Sequence, residues 1–257
     1  MNGLNAKRKK SIAPDFKKSS IALALGMAVL WDAQSAMINV GLGCSLNDAI
    51  ISANSNTASG GCIAGDLAGT DEIILPASTV FSVSTPAAVY QTSLGISALP
   101  IISSDISIQG NGSTIQRTSA DPFRVIYVDV NGVLALTSIT ITGGNASGAG
   151  PSYNFNYGGG IRNLGSLTLD SSTVSGSTAL RRGGGIHNRG SLTINNSEIS
   201  TNTALGQGGG GVSNGNGGSL LIQNSSVSMN TAGIGGGIEG YFGQTISIIN
   251  SSITLNL

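Results

Sequence analysis

From residue 158 onward, apolar and polar positions recur with a long fixed period rather than the 3.6-residue stripe of a helix. Gly158-Gly-Gly-Ile-Arg-Asn163 returns as Gly183-Gly-Gly-Ile-His-Asn188, as Gly209-Gly-Gly-Val-Ser-Asn214 and as Gly235-Gly-Gly-Ile-Glu-Gly240. The shared aliphatic residue (Ile161, Ile186, Val212, Ile238) recurs at intervals of 25, 26 and 26. Each glycine block is followed by an alternating segment marked by Leu167/Leu169, Leu192/Ile194, Leu220/Ile222 and Ile246/Ile248. A third segment carries Val174, Ile199, Val227 and Ile253, and Ala179, Ala204 and Ala232 follow in the first three units. Period-two alternation in short segments bounded by turn residues predicts strands. Leucine-rich repeats and helical solenoids are poor matches. Coiling such a unit places each strand about 4.8 Å above its predecessor, so that equivalent residues stack. An inward stack of Ile, Leu and Val gains roughly 1.5–3 kcal/mol per large side chain against the entropy of ordering it. The expected fold is all-β: a right-handed, single-stranded parallel β-helix with three short strands per rung over residues 104–257.

Upstream the pattern is less regular. Cys44-Ser-Leu-Asn-Asp-Ala-Ile-Ile-Ser-Ala-Asn54 predicts a short capping helix. Ser45 is placed to act as its N-cap, with Asp48 three residues on in the position of a capping box, and Leu46, Ala49, Ile50 and Ala53 form its apolar face. Strands are expected over Asp71–Pro76, Ser104–Gly112, Val125–Val130 and Val133–Leu136, which are rich in β-branched residues. Residues 37–103 thus read as an N-terminal cap with the first strands. The last residues follow directly on a third strand with no polar cap, so the coil is expected to continue beyond residue 257.

The turns repeat as well. Asn196, Asn224 and Asn250 fall at one turn and Asn202, Asn230 and Asn256 at another; superposed amides at either position could hydrogen-bond from rung to rung. The glycine blocks supply positive φ and tight turns, and with no Gly-Lys-Ser/Thr beside them they do not form a phosphate loop.

Composition adds compartment and charge. Five lysines and Arg8 lie before residue 19, ahead of the apolar run Ile21–Trp31 and the small residues Ala33, Ser35 and Ala36. This order is that of a secretory signal over residues 1–36; a membrane anchor is the competing reading, although a span needs about 20 apolar residues. Residues 37–257 hold six arginines, ten carboxylates and no lysine, a net charge of −4. That argues against phosphate-backbone binding to nucleic acid, which needs many cationic contacts. Cys44 and Cys62 are the two cysteines; in an oxidising compartment they are expected to pair, and with one histidine they do not complete a metal site.

The Cys44-Ser-Leu-Asn-Asp-Ala-Ile50 segment resembles the start of CSLREA-type secreted proteins, with Asn-Asp in place of Arg-Glu. The Gly-Gly-Gly-Ile-x-Asn, Gly-Ser-Leu-Thr-Ile and Asn-Thr-Ala elements resemble pectin-lyase-like β-helix repeats. They are also similar to polymorphic outer-membrane protein repeats, although that family's Phe-x-x-Asn element is absent. The resemblance covers about residues 44–257. It implies the fold, but its members include lyases, hydrolases, adhesins and passenger domains, so it does not fix an activity.

Candidate chemistry is sparse. The positions beside the aliphatic stack are Arg162, His187, Ser213 and Glu239, read as outward-facing repeat variants. Asp170 aligns with Asn195 and Glu198 with Thr173, so these two carboxylates do not make the facing pair of a glycosidase. Asp71 and Glu72 point to opposite faces of a strand. No catalytic residue, metal site or cofactor is assigned. The candidate ligand-binding residues are the aromatics Tyr153, Phe155 and Tyr157, in an expanded turn before Gly158, with Tyr241 and Phe242 on a later turn; such rings can stack on sugars or dock a protein, or simply cover the coil. The expected function is a non-catalytic, secreted or surface-displayed, adhesin-like scaffold with glycans or cell-surface proteins as partners, possible association with the outer membrane, and no membrane span after the leader. The alternative is a polysaccharide lyase or glycoside hydrolase on the same fold.

Overall fold

Parallel pairing joins each unit to the next in the registers that the repeat implies. Ile161, Ile186, Val212 and Ile238 stack in one column. Leu167, Leu192, Leu220 and Ile246 form a second column, with Leu169, Ile194, Ile222 and Ile248 beside it. Val174, Ile199, Val227 and Ile253 form the last. The computed structural model describes residues 35–90, 95–148 and 156–257. The signal-peptide reading of residues 1–36 lies outside the described residues but for its last two.

The stack reaches below the legible repeats. Ile126 lies under Ile161, Leu134 and Leu136 under Leu167 and Leu169, and Ile141 under Val174. Ile106, Ile108 and Ile115 continue the columns downward along the strand Asp105–Arg117, whose register shifts between Gln109 and Ser113. From Ile106 to Val227 these inward side chains are at most 2% exposed. The result is a parallel β-helix around one dry aliphatic shaft. Beyond the three strands per rung, the alanines make a further two-residue strand: Asn145–Ala146, Thr178–Ala179, Thr203–Ala204 and Thr231–Ala232 pair in order.

The corners explain the turn residues. The first corner puts Ser138, Ser171, Asn196, Asn224 and Asn250 at φ between 47° and 52°, the left-handed region that asparagine tolerates better than most residues. At this corner backbone conformation is shared rather than an amide ladder; Asn196 reaches sideways to Asp170 at 2.9 Å. The second corner does carry the expected ladder. Buried Asn202 donates to the Asn230 side chain at 3.0 Å and Asn230 to Asn256 at 3.0 Å. Each amide also donates to a core-strand carbonyl, Val174 and Ile199 respectively. A third column, Asn163–Asn188–Asn214, lies in the glycine-block strands, with amide contacts of 2.7 Å at both steps. In the glycine blocks, Gly184 sits where a Cβ would lie 2.5 Å from the Gly210 carbonyl oxygen, so consecutive turns touch backbone to backbone.

The helix Leu46–Ser55 covers the lower end. Ser45 Oγ accepts from the Asp48 N–H at 3.1 Å and donates to the Asp48 carboxylate at 2.6 Å. Its buried face (Leu46, Ala49, Ile50, Ala53) joins the same apolar cluster as Ile73 and Ile106. At its far end Asn54 donates to the Ile101 carbonyl and accepts from the Ser103 N–H. Cys44 and Cys62 are bonded, with Cα atoms 4.6 Å apart, tying the start of the helix to the chain that follows it.

Candidate functional site

The middle residues of the glycine-block strands form a column in strict register: Tyr127, Arg162, His187, Ser213 and Glu239. Strand alternation turns them away from the aliphatic shaft, as the sequence implies. They are nevertheless buried: His187 is 5% exposed and Arg162 2%. The expectation of exposed repeat variants therefore fails. The reason is a second layer, laid over the column by the residues that enter and leave each glycine block. Tyr157, Arg182 and Gly208 bridge one another one rung apart on the entering side, and Arg189, Gly215 and Asn216 follow the strands on the leaving side. Gly208 makes room for Glu239, whose carboxylate lies 2.5 Å from where a Cβ at that position would stand.

Between these layers lies an open cleft of about 390 Å³, lined among others by Tyr157, Arg162, Arg181, Arg182, Arg189 and Tyr241, with His187 in its floor. The Tyr157 ring meets the His187 ring edge-on, with centroids 4.7 Å apart at 77°. The Arg162 guanidinium stands 5.7 Å from the Tyr157 ring centre and 5.8 Å from that of Tyr127. Arg182 is held on several sides. It stacks 4.0 Å from the Tyr241 ring centre, donates to the Tyr241 hydroxyl at 2.8 Å and to Gln207 at 3.1 Å, and pairs with Glu239 at 3.6 Å. Ser213 donates to the other Glu239 oxygen at 3.0 Å. Arg189 is exposed, and although its backbone N–H donates to the Asn163 carbonyl, its guanidinium makes no hydrogen bond or ion pair among the described residues.

This concentration of positive charge is opposite in sign to the net charge of residues 37–257. Of the six arginines there, Arg162, Arg181, Arg182 and Arg189 line the cleft and Arg124 lies behind it. Burial, helped by neighbouring Arg162, pushes Arg124 down to about 9, which leaves it cationic at neutral pH. Arg162 is lowered by burial, with Arg189 adding to the effect. His187 is held well below its usual range by burial first and then by Arg162, Arg124, Arg189 and Arg182. Its Nδ1 is buried and has no hydrogen-bond partner among the described residues. The site is thus a cationic, aromatic-flanked cleft around a neutral imidazole, with Glu239 already engaged by Arg182 and Ser213. It can bind and orient an anion; among the described residues it presents no pair of facing carboxylates for hydrolysis.

The expected aromatic residues divide. Tyr157 and Tyr241 join the cleft. Phe242 is 89% exposed, touches Tyr241 edge-on at 6.1 Å and does not line it. Tyr153 and Phe155 lie outside the described residues. Sequence reasoning missed the arginines, although a signal was available: five of six fall between residues 124 and 189, four of them within five residues of a glycine triplet. Asp170 and Glu198 lie on a different face, in registers with Asn195 and Thr173. A broad hollow there is lined by Ser172, Ser197 and Ser225 among others. The hydroxyl of Ser197 accepts from the Ser172 N–H and that of Ser225 from the Ser197 N–H, so they serve the coil.

Among the described residues no three His, Cys, Asp or Glu side chains gather to hold a metal ion. No helix among them is long and apolar enough to cross a membrane. No family model matches the chain, and no curated protein or solved structure matches it either.

Proposed function

We propose that the chain is a non-catalytic, exported binding scaffold, secreted or displayed at the cell surface in the manner of an adhesin, and that the arginine–tyrosine cleft is its contact surface. The supporting observation is that cationic and aromatic side chains converge on one column of the coil while the neighbouring columns repeat inert residues. Glycans and cell-surface proteins are the partners suited to it. Guanidinium and ring faces hold a saccharide or a peptide side chain without chemistry.

The test is retention of the full secreted chain on target cells and on a glycan panel, comparing Tyr241→Ala with Phe242→Ala. Loss of the Tyr241 ring should weaken retention about tenfold, the equivalent of about 1.4 kcal/mol, whereas Phe242→Ala should leave it unchanged. Equal retention by all three proteins would remove the cleft as the contact surface. Incubation with a polysaccharide panel, with and without Ca²⁺, checks the alternative of a lyase or hydrolase; turnover lost on substitution of a single acidic residue would replace the scaffold reading.

A further inference from the structure

The cleft has features beyond those a general docking surface requires. Its floor holds a buried imidazole nitrogen with no hydrogen-bond partner among the described residues. A buried polar atom left unsatisfied costs on the order of 1–3 kcal/mol, a loss that a ligand able to reach the imidazole would offset. Around it stand like charges that repel one another: Arg162 on the strand below, Arg189 at the end of its own strand, Arg182 on the entering layer, and Arg124 behind. Of the other titratable groups, Tyr157 packs edge-on against the imidazole, Tyr127 lies two rungs below in the same column, and Glu239, two rungs above, is taken by Arg182 and Ser213.

We infer that the cleft is an oxyanion site, taking a carboxylate, sulfate or phosphate group of a glycan beside Arg189, Arg162 and His187, with the sugar ring against Tyr157 or Tyr241. This rests on the cleft being the contact surface and names the class of ligand it takes. An anion there relieves the repulsion among the guanidinium groups and receives charge-assisted hydrogen bonds, which are about twice as strong as neutral ones. It also makes protonation of His187 easier, because negative charge arrives beside a ring whose neighbours are otherwise cationic. Binding should therefore strengthen on acidification even for an anion whose own charge does not change.

Inorganic sulfate is the first probe, since it stays fully ionised between pH 5 and 8. Calorimetric titration of the full secreted chain should show sulfate binding tighter at pH 5.5 than at 7.5, accompanied by proton uptake. Arg189→Ala should weaken it about tenfold with Arg189→Lys recovering part of the loss, and His187→Gln should bind with no pH dependence. Arg189 is exposed, so its variants keep the test open even where His187→Gln does not fold. The second set of probes is oligogalacturonate, sulfated dextran, phosphorylated mannan and unmodified dextran. Preference for one of the first three identifies the oxyanion, and equal retention of neutral dextran overturns the inference. Sulfate affinity that is identical in wild type and Arg189→Ala overturns it as well. If cell or glycan retention still depends on Tyr241 but sulfate neither binds nor competes, the oxyanion inference falls while the scaffold reading stands. If retention is independent of Tyr241 too, both fall.

Discussion

Two neighbouring columns of the glycine-block strands behave in opposite ways. The asparagine column repeats one residue, Asn163–Asn188–Asn214, and the same hydrogen bond recurs at each step. One position earlier, the column Arg162–His187–Ser213–Glu239 changes residue at every rung, with Tyr127 beneath it. A repeated column links itself from rung to rung, since each amide donates to the next. In the varied column one internal bond joins Ser213 to Glu239, while Arg162, His187 and Glu239 also take contacts from the overlying layer of Tyr157 and Arg182. In a coil of this kind sameness from rung to rung holds the fold, and difference concentrates chemistry.

Substitutions sharpen that contrast, beginning with the repeated inward stack. Ile194→Ala removes a fully buried side chain between Leu169 and Ile222 and should cost about 4 kcal/mol in urea unfolding. Asn202→Ala leaves the Ser177 N–H and the Val174 carbonyl without this amide, and the Asn230 side chain with only the backbone N–H of residue 202 as donor. The three lost bonds should cost about 2–3 kcal/mol by the same measurement. A loss well under 1 kcal/mol at either site would mean that the repeated columns do not carry the coil.

The varied column should show itself through pH. The folded state holds His187 neutral well below its usual range, whereas the unfolded chain takes up that proton near pH 6.5. Protons are therefore bound more strongly by the unfolded state. His187 contributes no penalty above about pH 6.5, and stability falls as pH drops below it, with a limiting slope of about 1.4 kcal/mol per pH unit. Unfolding of wild type and His187→Gln from pH 7.5 to 5 should diverge in that direction; parallel curves would mean an imidazole that titrates normally. The smallest effect belongs to exposed Arg189. Arg189→Ala should change stability by less than about 0.5 kcal/mol while weakening sulfate binding, separating the site from the fold.

Much of the coil is legible in the amino-acid order, because a residue type recurring every 25 or 26 positions can only stack. The inward registers of Ile161, Leu167, Leu169 and Val174, the helix with its Ser45 cap, and the Asn202–Asn230–Asn256 ladder follow from spacing. The lower rungs are harder to read: Ile126-Tyr-Val128 has no glycine triplet before it, and the bulge in Asp105–Arg117 breaks the count. The amide ladder at Asn163–Asn188–Asn214 is in plain sight within the repeat, but its burial depends on neighbours the repeat does not specify. The cleft is the hardest to see. Strand alternation correctly turns Arg162 and His187 off the shaft, yet facing away from the core is not the same as facing water.

The chain's residue order alone set the period of the coil, the aliphatic shaft and the corners, because those depend on residues repeated at equal spacing and on local backbone preference. Only the tertiary structure decided that Tyr157, Arg182 and Tyr241 come to rest over the varied column, burying His187 and drawing arginines far apart in the chain into one cleft. That placement depends on the path of the segments entering and leaving each rung, whose length and composition differ from turn to turn, and no periodicity encodes it.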